Sequence, residues 1–230
     1  TDGGRTSDLA ARPNGVVAAG AVLPYDRIVA GGTFTWWGGD SFAPNHIARG
    51  NADGTLDTTF NYINSASTTF LGLQGPNGNV SVHDVRILPS GNILVAGSFT
   101  LYYQGANDNG GAPDNLLMLN TLGKEVTTFS PSVGTPTSGQ FVRSVAVQTN
   151  GSVVAGGELT GGRFLQRYGP TGSGNGFTGA GPDNDVETVA VQPDGTILVG
   201  GGFTGVDGDT GVADRIVRLA TAAPFAATPV

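Results

Sequence analysis

Two pairs of adjacent aromatics are the residues best suited to recognition: Trp36-Trp37 ahead of Gly38-Gly39, and Tyr102-Tyr103 ahead of Gln104-Gly105. Side chains alternate between the two faces of a strand, so neighbours cannot both point inward. At least one of each pair is expected at the surface. An exposed Trp or Tyr is a rigid, partly polar plate for a sugar ring or a protein partner. Trp36, Trp37, Tyr102 and Tyr103 are therefore the candidate partner-binding residues, with packing against the core as the competing role. Oxygen-rich stretches form a second set: Asn107-Asp108-Asn109 with Asp114, Asp183-Asn184-Asp185 with Glu187, and Asp207, Asp209 and Asp214. Calcium takes roughly six to eight oxygen ligands, and Asp207, Asp209 and Asp214 are the candidate ligands. None of these stretches has the full spacing of a calcium loop, and Asp and Asn are also ordinary turn residues. No other cofactor is suggested.

Catalytic constellations are sparse. The only histidines, His46 and His83, stand far apart in the chain, without the spaced partner that a transition-metal site or a triad needs. Gly174-Asn175-Gly176-Phe177-Thr178-Gly179 has the form of a dinucleotide fingerprint but opens no helix. Glycoside hydrolysis needs two carboxylates at a set separation, and Glu125, Glu158 and Glu187 are the only glutamates. Two glycosylation sequons occur, Asn79-Val80-Ser81 and Asn150-Gly151-Ser152, and the second reads as turn chemistry.

Composition narrows the classes further. Among 230 residues there are 39 glycines and no cysteine, and only 13% are charged. Such a chain suits many short strands joined by tight turns, and disulfides and thiolate metal sites are excluded. A net charge of −7, with Lys124 the only lysine, argues against nucleic acid and anionic membrane surfaces. No apolar run approaches the length of a spanning helix. The chain opens on Thr1 with no visible signal peptide, as expected of a processed product or a segment of something longer.

The elements that must carry these residues repeat four times. A first strand, A, begins at Val17, Val82, Val142 and Val186 and ends at Val22, Ile87, Val147 and Val191. Turns follow at Tyr25-Asp26, Ser90-Gly91, Asn150-Gly151 and Asp194-Gly195, three of them with the glycine that a tight hairpin favours. Strand B runs from Ile28, Ile93, Val153 and Ile197 to an anchor at Phe34, Phe99, Leu159 and Phe203. Two residues before each anchor stands a glycine, Gly32, Gly97, Gly157 or Gly201, which predicts a bulge or a close backbone approach. Strand C starts at Ile47, Leu116, Leu165 and Ile216. A turn glycine comes seven residues later at Gly54, Gly123 and Gly172, and strand D closes at Phe60, Phe129, Phe177 and Phe225. The prediction is an all-β, β-propeller-like fold of four repeats, each of four antiparallel strands, with blades at about 17–60, 82–129, 142–177 and 186–225 of a single domain over 15–230. Residues 1–14 are either a lead-in or a strand that closes the last blade.

The stretch Ala-Val-Gln-Pro-Asp-Gly-Thr-Ile-Leu-Val-Gly-Gly-Gly-Phe at 190–203, with Ile47 to Phe60 as its second half, resembles the delta-60 repeat. That resemblance covers nearly the whole chain. It implies a secreted or surface-exposed bacterial protein with a propeller-like fold, and it carries no catalytic residues. The expectation is a non-catalytic extracellular module for binding, adhesion or structural display on a cell or virion surface, with a protein or glycan partner. Two alternatives stay open: a subunit of a larger extracellular assembly such as a filament or phage tail, and a glycan-acting enzyme using loop carboxylates.

Overall fold

The computed structural model describes residues 12–38, 45–61, 72–75, 78–103, 114–135, 139–174, 177, 181–210, 215–220 and 227–228. The first unit holds β1 (Val17–Val22), β2 (Ile28–Gly32) and β3 (Ile47–Gly50), and the connection after it carries β4 (Gly72–Gln74). The second holds β5 (Ser81–Ile87), β6 (Ile93–Ser98), β7 (Leu101–Tyr103) and β8 (Leu116–Leu119). The third holds β9 (Phe141–Val147), β10 (Val153–Leu159) and β11 (Arg163–Tyr168). The fourth holds β12 (Val186–Val191), β13 (Ile197–Gly201), β14 (Gly205–Val206), β15 (Asp209–Thr210), β16 (Ile216–Leu219) and β17 (Ala227–Thr228). Four antiparallel sheets of three or four strands result, ordered β1-β2-β3, β5-β6-β8, β9-β10-β11 and β12-β13-β16-β17, beside the two-stranded pairs β4-β7 and β14-β15. The fold is all-β and propeller-like.

Strand D is shorter than its sequence pattern predicts. Among the described residues, in the first three units it is a single bridge to strand C, at Gly50–Leu56, Leu119–Glu125 and Tyr168–Gly174. In the fourth it is the two-residue β17. The turn before it consumes the intervening residues: Gly54, Gly123 and Gly172 all take positive φ there.

The repeated glycine of strand B has a specific geometric cause. Each first strand carries one extra residue against its partner, so Val17 and Ala19 face Gly32 and Gly31, and Val82 and Asp84 face Gly97 and Ala96. The third and fourth sheets repeat the shift. At that bulge the carbonyl oxygen of the residue before the first Val lies 1.9–2.3 Å from where a Cβ on Gly32, Gly97, Gly157 or Gly201 would stand. No side chain fits against backbone at that range.

Consecutive sheets pack face to face in chain order. Val29, Ile47 and Phe60 of the first unit meet Val82, Val85, Ile93 and Val95 of the second. Leu94, Ala96 and Leu116 meet Val142, Val145 and Val153. Val154 and Leu165 meet Val186, Val189 and Ile197. The middle of strand B is kept small to admit the first Val of the next sheet. A Cβ on Gly31 would lie 2.3 Å from Val82 Cγ1, and one on Gly156 would lie 2.3 Å from Val186 Cγ1.

Residues 12–14, the described part of the lead-in, pair with the first unit. Gly38 N–H donates to the Arg12 carbonyl at 2.9 Å, and Asn14 N–H donates to the Trp36 carbonyl at 3.1 Å. Residues 1–11 and Phe225 lie outside the described residues.

Gly97→Ala should lower stability by about 2–3 kcal/mol in denaturant unfolding, because the added carbon meets backbone rather than a mobile side chain. Gly20→Ala, whose Cβ would sit 3.5 Å from the nearest backbone oxygen, should change it by less than about 1 kcal/mol. Equal effects at the two sites would rule out the steric account.

Candidate functional site

The aromatic pairs are split between core and surface. Trp37 is 7% exposed, stacks edge-on to Phe34 with centroids 5.9 Å apart, and donates its indole N–H to the Gly54 carbonyl at 3.0 Å. Trp36 is 38% exposed, and Asn14 Oδ1 accepts its backbone N–H at 3.1 Å. Tyr102 is fully buried in β7, paired with Leu73 of β4, and its hydroxyl donates to the Gly123 carbonyl at 2.6 Å. Burial pushes the Tyr102 phenol far above its usual range. Tyr103 is half-buried, and its carbonyl accepts from Asn61 Nδ2 at 3.0 Å. Trp37 and Tyr102 are thus core side chains in two separate apolar clusters, whereas Trp36 is exposed and Tyr103 half-buried.

Trp36 lies on a ribbon that extends the first sheet, in which residues 12–16 run antiparallel to 33–38. Val16 on the same ribbon is 64% exposed. Among the described residues, six of the eight exposed large apolar side chains belong to this unit: Val16, Val17, Val22, Tyr25, Ile28 and Trp36. Sequence periodicity marked the strands of this unit without showing which of these side chains would be exposed.

The acidic residues mostly hold backbone in place. Asp53 accepts from Thr55 Oγ1 at 2.6 Å and Thr55 N–H at 3.0 Å, and Asp194 does the same for Thr196 at 2.6 and 2.9 Å. The threonine hydroxyls, with the amide bonds, hold both carboxyls below the usual carboxylate range. Asp183 accepts Thr204 N–H at 2.9 Å, the leading cause of its lowered pKa. Asp207 sits at positive φ in the turn between β14 and β15, and its carboxylate accepts Gly181 N–H at 2.7 Å. Asp209 is exposed at the start of β15, and Asp214 lies outside the described residues. The structure therefore turns Asp207 toward backbone. Among the described residues no three His, Asp or Glu side chains converge on a metal-sized site.

The histidines are both buried enough to lower their pKa. His83 Nδ1 lies 2.9 Å from the Val142 carbonyl across the second and third sheets, and His46 stands at positive φ just before β3. Glu158 is half-buried opposite Phe141 in β10. Glu187 pairs with Arg143 at 3.1 Å.

Two features escaped the sequence reading. One is a buried ion pair: Arg49 donates to Asp57 Oδ2 at 2.8 Å and Thr59 Oγ1 at 2.9 Å, and bonds the Thr121 carbonyl of the next unit. Its guanidinium lies 4.9 Å from the Phe60 ring centroid. The sequence signal was an arginine recurring two residues into strand C, at Arg49, Arg167 and Arg218. The other is a cleft of about 340 Å³ in the third unit, lined by Ser130, Ser132, Thr160, Arg163, Gln166 and Tyr168. It opens beside the short turn Thr160–Gly162, where that unit departs most from its siblings.

Comparison with known proteins agrees with the architecture. A model of the family described as "Domain of unknown function (DUF5122) beta-propeller" matches residues 26–60 and 192–221. These two stretches are similar to repeats of a β-propeller family. No curated protein matches the sequence. Among solved structures, PorZ, a bacterial surface component of the type-IX secretion system of Porphyromonas gingivalis, is 16% identical with a TM-score of 0.50, over 99% of this chain and 29% of that one. A structure provisionally named a gluconolactonase is 14% identical with a TM-score of 0.50, over 92% and 62%. A gluconolactonase of Xanthomonas campestris is 15% identical with a TM-score of 0.49, over 91% and 60%. The chain thus spans about three fifths of the two gluconolactonase structures. At these identities the likeness is one of fold. No helix among the described residues is long and apolar enough to cross a membrane.

Trp37→Ala should cost about 3–5 kcal/mol of stability through the cavity it leaves, whereas Trp36→Ala should cost less than about 1 kcal/mol. Asp57 has its carboxyl pushed up by burial, but the Thr59 hydrogen bonds and Arg49 outweigh that and hold it below the usual range. Its stabilisation is therefore complete above the unfolded value of about 3.9 and is lost as pH falls through the lower folded value. Asp57→Asn should lower stability by about 3 kcal/mol at neutral pH and flatten the fall of Tm below about pH 4.

Proposed function

We propose that this chain is a non-catalytic repeat module of the delta-60 kind, acting outside the cell or on a cell or virion surface by binding a protein partner. The observation that carries this reading is the distribution of polar and apolar groups. Asp53, Asp57, Asp84, Asp183, Asp194 and Asp207 spend their oxygens on threonine, serine, arginine and backbone donors. The first unit meanwhile leaves Trp36 and Val16 in solvent on one ribbon. Fixed carboxylates suit a scaffold, and an aromatic held on a rigid ribbon suits recognition. The propeller neighbour described as a bacterial surface component supports an extracellular setting by analogy of fold.

Membership in a larger extracellular assembly is the second reading, favoured by the concentration of exposed apolar side chains on one end unit. The test is binding of the purified chain to extracellular proteins of its source organism and to a glycan array, alongside lactone and glycoside turnover assays. A protein ligand bound at least about tenfold more weakly by Trp36→Ala, a loss of about 1.4 kcal/mol, is the expected result. Turnover of a lactone or glycoside, or binding indifferent to Trp36→Ala, would overturn the reading.

A further inference from the structure

The cleft of the third unit stands where the other units seat a side chain of their own. In the first unit Trp37, from the connection between strands B and C, packs with Phe34 and Ala48. Its indole N–H donates to the carbonyl of the turn glycine Gly54 at 3.0 Å. In the second, Tyr102 of the corresponding connection is buried with Phe99 and Leu117, and its hydroxyl donates to the carbonyl of the turn glycine Gly123 at 2.6 Å. In the fourth, Val206 of that connection is buried with Phe203 and Val217. The matching connection of the third unit is Thr160-Gly161-Gly162, which offers no ring and two residues without a side chain.

Position by position, the cleft is lined by the residues of that seat. Leu159, Gln166 and Gly172 line it. They stand where the first unit has Phe34, Ala48 and Gly54 and the second has Phe99, Leu117 and Gly123. Ser130 lines it too, and follows Phe129 as Asn61 follows Phe60. Asn61 hydrogen-bonds Tyr102 in the filled seat. Both frames are held alike: Asn61 N–H donates to the Leu122 carbonyl at 3.1 Å, and Ser130 N–H to the Thr171 carbonyl at 3.1 Å. Gln166 shows the consequence of the missing cover. Ala48, Leu117 and Val217 are at most 1% exposed in the same place, whereas the third unit carries a half-buried amide there. Tyr168 in the lining is buried, with its hydroxyl donating to the Ser132 carbonyl at 3.2 Å. The open volume of about 340 Å³ falls within the roughly 300–1,000 Å³ of small-ligand sites.

We propose that this cleft receives an aromatic ring with one hydrogen-bond donor from outside the chain, a phenol or an indole, whose O–H or N–H bonds the Gly172 carbonyl. The occupant follows from the first and second units, where the seat takes a ring of that kind with its donor on the turn glycine. Arg163 in the lining suits the face of such a ring. The site belongs to a different unit from Trp36 and does not rest on the role given to that residue.

The test is a titration of the isotope-labelled 230-residue chain with N-acetyl-tyrosinamide and with p-cresol, followed by amide shifts in NMR spectra. Both should bind saturably, with Kd of about 1 mM, and move the resonances of Ser130, Gly172 and Ser173. N-acetyl-phenylalaninamide has the ring without the donor and should bind about three- to tenfold more weakly than N-acetyl-tyrosinamide. Tighter binding of N-acetyl-tyrosinamide than of p-cresol assigns the ring to a side chain of a protein partner, and the reverse assigns it to a free small phenol. Ser173→Trp and Thr160→Trp each place a ring at an exposed lining position, and each should abolish binding with Tm unchanged. Trp36→Ala should leave binding intact, which separates this cleft from the ribbon of the first unit. The proposal is overturned by no saturable shift up to about 20 mM, by equal affinity with and without the donor, or by binding that survives both tryptophan substitutions. Binding of methyl glycosides in the cleft in place of the phenols would overturn it as well.

Discussion

The whole array depends on one close approach of backbone to backbone. Where each first strand bulges, a carbonyl oxygen occupies the space that a Cβ would take on the opposing glycine, in all four units. In three units the N–H of that glycine donates to the carbonyl of a residue at positive φ: His46, Asn115 or Arg215, at 2.9–3.0 Å. The N–H of that same residue returns to the carbonyl of the anchor Phe34, Phe99 or Phe203, at 2.8–3.1 Å. The bulge, the corner and the anchor are therefore one hydrogen-bonded unit, and a bulge adds the local twist that sheets need to pack around a common axis. The third unit lacks the long connection and turns through Thr160–Gly162.

Packing between sheets follows from the same geometry. A small residue in the middle of strand B and a branched one at the start of the next strand A interlock, with no charged group in the apolar contact. This explains how a chain with 13% charged residues and no cysteine holds together without disulfides. Polar side chains are used sparingly and at fixed stations: Asp or Asn caps a turn, Asp84 and Ser144 bridge adjacent sheets, and Arg49 ties a strand end to the next unit.

Function is left to whatever the scaffold does not constrain. The connections between strands differ in length and chemistry from unit to unit, as does the third-unit cleft with Arg163 and its hydroxyls. On a scaffold of this kind, variable connections are where specificity can reside.

Strand starts and ends, turn glycines and the bulge position were legible in the residues, because each follows from local sterics. Val, Ile and Leu alternate where one face is buried, and glycine recurs where no Cβ fits. The shortness of strand D was not legible: whether a run of β-prone residues pairs beyond one bridge depends on what lies beside it, and in the first unit the pairing is the one bridge Gly50–Leu56. Nor could sequence say which of Trp36 and Trp37, or of Tyr102 and Tyr103, faces inward. Alternation demands that one does, but the choice rests on the position of Phe34 and the Gly54 carbonyl for one pair, and on Leu73 and the Gly123 carbonyl for the other. Exposure of Val17, Ile28 and Ile216 belongs to the tertiary structure in the same way. Their types match buried siblings, and only the tertiary structure shows them exposed.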